Sequence, residues 1–171
     1  MPKAKLPQGA TREIFEKYRA LADAEGEDKD CVPRAVSAAT GVPYADVLRL
    51  FADQGRKPKS ATSIHMMTQV VMNLGYSIVC MNLSHFNPPA RAARGKHGIT
   101  SHHPDRFPGM WSDQGRLICW NRDHVWAVVD GLNVDWSRGR SLRISRIYKI
   151  VKLDCEPRMM YQAEYEQMRF K

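Results

Sequence analysis

A chain of 171 residues suits a single domain with a sizeable core. Its 43% hydrophobic and 26% charged residues exclude a disordered or fibrous polymer. No apolar run approaches the ~20 residues that span a bilayer, and the basic start MPKAKLPQGATREIF has no apolar segment behind it. The expectation is therefore no membrane insertion, no secretory signal and a cytoplasmic location. The net charge of +8 implies attraction to polyanions or to an acidic protein partner.

Residues 1–10 read as a loose, flexible basic arm. Thr11 is a candidate cap for a helix running to about Ala24, with Ile14, Tyr18 and Leu21 along one side. EGEDKD (25–30) reads as a polar loop. Asp30 is a good N-cap for a second helix with Val32, Ala35, Val36 and Ala39 as its apolar stripe, and Gly41 ends it. That stripe needs an apolar partner, which a sheet over residues 116–135 would supply. Pro43 suits the first turn of a third helix, in which Tyr44, Val47, Leu48 and Phe51 follow the period of a buried face. A fourth helix is expected to begin near Ser60–Ser63 and to carry Ile64, Met67 and Val71, its methionines filling core space.

From Tyr76 the pattern changes. YSIVCMNL (76–83) reads as a strand and is followed by a long loop, rich in Pro, Gly, His and Arg, to about Ser112. RLICWN (116–121), HVWAVVD (124–130), LNVDW (132–136) and RIYKIVKL (146–153) read as further strands. Residues 157–171 form a tail or a helix. No repeat or boundary divides the chain, so one domain over 1–171 is expected.

The four cysteines, Cys31, Cys80, Cys119 and Cys155, are widely spaced without a CxxC pair and are expected to be free thiols. His97, His102 and His103 cluster in the long loop, yet the paired spacing of a structural zinc site is missing, and no metal or other cofactor is expected. Cys31 differs from the other thiols because it opens a helix. Unpaired backbone N–H groups and the positive end of the helix dipole favour a thiolate there, whereas the neighbouring Asp30 opposes it. On this stretch alone, a small inert core cysteine is the alternative.

A thiolate nucleophile needs a base. Of six histidines, only His124 opens a strand of strong β pattern, beside a turn at Asn121-Arg122-Asp123. A strand end holds a ring in place with one face open, as general-base work requires. Asp130-Gly131 is a two-residue turn signal that sets Val129 opposite Leu132. That register brings Asp135 opposite Trp126 and diagonal to His124, while Asp130 lies about 20 Å along the strand. Asp135, not Asp130, is expected to orient His124. Trp136, next in the chain, is a candidate wall of a substrate groove.

The segments DCVPRAVSAATG, DHVWAVVDG and NVDW, in the order Cys, His, Asp over residues 30–136, resemble the papain-like cysteine peptidases. The likeness is closest to compact bacterial and phage members and to the peptidase domains that process bacteriocin leaders. It implies an α+β fold, with an N-terminal helical part carrying Cys31 packed on a C-terminal antiparallel sheet carrying His124 and Asp135. It further implies a thiolate–imidazolium pair, an acyl-enzyme intermediate and a protein or peptide substrate. The family usually has a glutamine about six residues before the cysteine as an oxyanion donor; this chain has Glu25 there. The backbone N–H of Cys31 is one candidate replacement.

Two other readings compete with the hydrolase. One is an interaction protein that keeps the scaffold with little or no turnover, such as a phage or bacterial regulator gripping a host protein. The other is nucleic-acid binding through RAARGKHG (91–98) and SRGRSLRISR (137–146). Aromatics are not interleaved with those arginines, so weak, non-specific attraction is the expected limit.

Overall fold

The computed structural model describes residues 8–81, 115–122, 124–130, 132–134 and 144–153. Among these residues, four helices precede and flank one antiparallel sheet, an α+β arrangement. The helices are α1 (Gln8–Ala24), α2 (Cys31–Thr40), α3 (Tyr44–Asp53) and α4 (Ile64–Asn73). The strands are β1 (Tyr76–Cys80), β2 (Arg116–Trp120), β3 (Val125–Val129), β4 (Leu132–Val134) and β5 (Arg146–Lys152), in the spatial order β1-β5-β2-β3-β4.

Two helix starts differ from the sequence expectation. α1 begins at Gln8, so Thr11 lies inside the helix and the expected basic arm over 1–10 overlaps it by three residues. Pro43 stands one residue before α3, at its N-cap. The start of α4 agrees: Ser63 caps it by accepting the Met66 N–H at 3.2 Å. The long loop after β1 and the 157–171 tail lie outside the described residues.

α2 is the helix around which the others gather. Small residues at Ala35, Ser37, Ala39 and Thr40 let neighbours approach, and α2 packs on β3 and β2 as well as on α3 and α4. The expected stripe of Val32, Ala35, Val36 and Ala39 is fully buried, but Pro33, Ser37 and Thr40 are buried too. Gly41 ends the helix at φ +79°, its N–H donating to the Ser37 carbonyl at 2.8 Å, in the left-handed conformation that favours glycine. Side chains from the sheet satisfy further carbonyls at this end. Arg116 Nη1 donates to the Ala39 oxygen at 3.0 Å, and the Tyr76 hydroxyl to the Thr40 oxygen at 2.8 Å. A cation at a helix C-terminus also suits the dipole.

The sheet is apolar on both faces, which is why its strands read as near-continuous hydrophobic runs. Ile118, Val125, Ala127, Val134, Tyr148 and Ile150 join the helices in one core. Leu117, Cys119, Trp126, Val128 and Ile147 project to the opposite side and form a second buried cluster with Ile144. Between β3 and β4 the register is Val129↔Leu132, Val128↔Asn133 and Ala127↔Val134, as the two-residue turn requires. Asp130 adopts φ +49°, the positive value that such a turn demands of its first central residue.

The stability of this core is testable at Phe51, which has no exposed surface. Phe51→Ala is expected to lower unfolding free energy by about 3–5 kcal/mol. Met72→Ala, at a side chain 52% exposed, should stay within about 0.5 kcal/mol. Urea unfolding monitored by circular dichroism measures both.

Candidate active site

Cys31 is the first residue of α2 and is half-buried. Asp30 precedes it at the N-cap position, but makes no side-chain cap. Its carboxylate is instead taken by Arg34, with Nη2 at 2.7 Å and Nε at 3.3 Å, and by the Tyr44 hydroxyl at 2.8 Å. These partners leave the cap unmade because they bind a carboxylate that is only 2% exposed. Burial, reinforced by the hydrogen bond to Asp30, pushes the Tyr44 hydroxyl far above the ordinary tyrosine range, so it remains a donor.

His124 sits just ahead of β3, in the four-residue connection from β2. Its backbone N–H donates to Asn121 Oδ1 at 2.6 Å, and its carbonyl accepts the Asn121 N–H at 2.9 Å. The expected turn after Asn121 therefore clamps the histidine backbone from both sides. Its ring stacks on Trp126, with centroids 5.9 Å apart and planes 13° from parallel.

Cys31 and His124 line one cavity of about 440 Å³, together with Lys29, Thr62, Trp120 and Arg122. Two residues 93 apart in sequence are thus brought to a shared space by the packing of α2 on β3. Asp135 and Trp136, the expected orienting carboxylate and groove wall, lie outside the described residues. Asp130 is exposed at the far end of β3, where its N–H donates to the Gly115 carbonyl at 2.9 Å. Glu25 is exposed beyond α1 and is not part of the cavity wall.

The polar loop EGEDKD is not a solvated connection throughout, because Glu27 and Asp30 are both buried. Glu27 forms a two-pronged ion pair with Arg56, at 3.0 Å from Nη1 and 2.9 Å from Nη2. Arg56 also donates to the Lys29 carbonyl at 3.2 Å and to Thr62 Oγ1 at 3.0 Å. Glu27 accepts the Lys59 N–H at 3.0 Å. This network joins the segment that enters α2 to the segment that enters α4. Sequence reasoning missed it because nothing periodic links positions 27 and 56. The only local signal was an arginine directly after Gly55, just beyond α3.

Cys31 and Cys80 are free thiols. Among the described residues, no three His, Cys, Asp or Glu side chains form a group able to hold a metal. No helix among them is long and apolar enough to cross a membrane. Of the two basic runs, only Ile144, Ser145 and Arg146 fall within the described residues, and Ile144 is buried. Comparison of the chain with protein-family models, curated proteins and solved structures finds no match.

The hydrogen bonds from Arg56 hold the Glu27 carboxyl below its ordinary pKa against the opposing effect of burial, and the Lys59 N–H adds to the lowering. A carboxyl with a depressed folded pKa contributes stability in full above its unfolded value of about 4.3. That contribution is lost as pH falls through the lower folded value. Glu27→Gln should therefore be less stable near neutrality and should show a shallower loss of stability below about pH 4.3. Arg56→Met leaves a buried carboxylate without its partner and is expected to cost about 3–5 kcal/mol. Thermal unfolding of the three proteins over an acid-to-neutral series checks both expectations.

Proposed function

We propose that the chain is a papain-like cysteine hydrolase, a thiol peptidase or related acyl transferase, acting on a peptide or isopeptide bond. The observation that carries this reading is the shared cavity of Cys31, at a helix start, and His124, at a strand end. Cys31 is the nucleophile, His124 the base and then the acid, and Asp135 the group that orients the imidazole. The β3–β4 register runs to Ala127↔Val134, and Asp135 comes next in the chain.

In the first half-reaction His124 takes the Cys31 proton and the sulfur attacks the substrate carbonyl carbon. The carbonyl π pair moves to oxygen, and its return expels the amine, which leaves with the proton held by His124. Water then attacks the thioester as His124 removes its proton. Collapse of that second tetrahedral species releases the carboxylic acid and returns the proton to the pair.

A second reading, a papain-like interaction protein with little or no turnover, is favoured by the exposed Glu25, outside the cavity where the family's glutamine would act. Iodoacetamide labelling separates the two. Cys80 is exposed and Cys31 half-buried, so exposure alone predicts that Cys80 reacts first. Faster labelling of Cys31 at neutral pH, lost in His124→Ala, is the outcome expected of the hydrolase; equal or slower labelling removes the catalytic reading.

Once a substrate is found, Cys31→Ala should abolish turnover and His124→Ala should lower it about 10²–10⁴-fold. Asp135→Ala should lower turnover strongly with the fold intact. Asp130→Ala acts at the turn, and should lower stability with a smaller effect on rate. Loss of activity in Asp130→Ala with an unaffected Asp135→Ala would make the triad assignment wrong.

A further inference from the structure

Thr62 lines the same cavity as Cys31 and His124. Its hydroxyl oxygen accepts the Arg56 Nε proton at 3.0 Å. A threonine hydroxyl owns one proton, and among the described residues no acceptor takes it. The donor fixing Thr62 is a guanidinium held on its other edge by Glu27 and the Lys29 carbonyl, with its side chain only 3% exposed. A hydroxyl that accepts from a cation becomes a stronger donor, and its proton must point away from that cation. Two features thus meet at the cavity: a polarised, uncommitted O–H and the first N–H groups of α2, which receive no side-chain cap.

We infer that the Thr62 hydroxyl donates to the substrate carbonyl oxygen and, with the Cys31 backbone N–H, stabilises the negative charge that develops there. The inference rests on the hydrolase reading and fills the place left by the missing glutamine. As the Cys31 sulfur bonds to the carbonyl carbon, the π electron pair becomes an alkoxide lone pair facing these two donors. The same contacts weaken when the pair returns and the leaving group departs. Thr62 gives up no proton in the cycle. Arg56 is a positioning residue, because it acts through Thr62.

The test compares two reactions of Cys31. Alkylation by iodoacetamide displaces iodide at a saturated carbon and forms no oxyanion. Acylation by the p-nitrophenyl ester of an N-acetylated glycine forms one and releases coloured p-nitrophenolate. Thr62→Val keeps the shape and removes the donor; Thr62→Ala does so without branching, should the valine variant fail to fold; Thr62→Ser restores the hydroxyl. Expected are a loss of about 10²–10³-fold in ester acylation for the valine or alanine variant, alkylation within twofold of the parent, and recovery in serine. Parent-like acylation in a folded Thr62→Val or Thr62→Ala, with acylation abolished in His124→Ala, overturns the role of Thr62 and leaves the hydrolase standing. A parent protein whose Cys31 shows neither selective alkylation nor acylation overturns both.

Discussion

The buried ion pair between Glu27 and Arg56 is the interaction on which the cavity end of this molecule depends. Two loops that share no regular secondary structure meet there, and each supplies a charge that would be costly to bury alone. The pair is tolerable because its hydrogen-bonding capacity is used: Arg56 gives protons to Glu27, the Lys29 carbonyl and Thr62, and Glu27 also takes the Lys59 N–H. One loop leads into α2 and the other into α4. Fixing both loops fixes where Cys31 and Thr62 stand relative to each other.

α2 is held at its two ends by different chemistry. At its C-terminus, Arg116 and Tyr76 reach from the sheet to the last carbonyls, so the helix cannot slide along β3 without breaking them. At its N-terminus, Asp30 is diverted to Arg34 and Tyr44 instead of capping the first turn. A capping aspartate would place its carboxylate over the N–H groups beside the thiol proposed as the nucleophile. The diversion moves that charge into the core and leaves the start of the helix open to the cavity.

The helices and strands were legible because their periods differ, and the Asp130-Gly131 turn set the β3–β4 register correctly. The order of strands was not legible. β5 enters between β1 and β2, a pairing over some seventy residues that no local pattern encodes. Thr11 misled as a helix start, since a threonine within a helix looks the same as one in front of it. EGEDKD misled in another way: polarity suggested solvent, yet two of its carboxylates are buried by partners 4, 14 and 29 residues away. Cys31 and His124 could be matched from local cues, a helix start and a strand start. The Glu27–Arg56 network, which ties the segment entering α2 to the segment entering α4, is non-local and could not.

The histidine end of the cavity has its own constraint. His124 and Trp126 alternate onto one side of β3, and the indole that stacks on the imidazole belongs to the second core cluster. Trp126 is 1% exposed, and among the described residues nothing accepts its indole N–H. The indole offers a broad, rigid face to the imidazole, and the Asn121 turn holds the histidine backbone. A ring restrained in both ways has little freedom to turn, which suits the proton-carrying role proposed for His124.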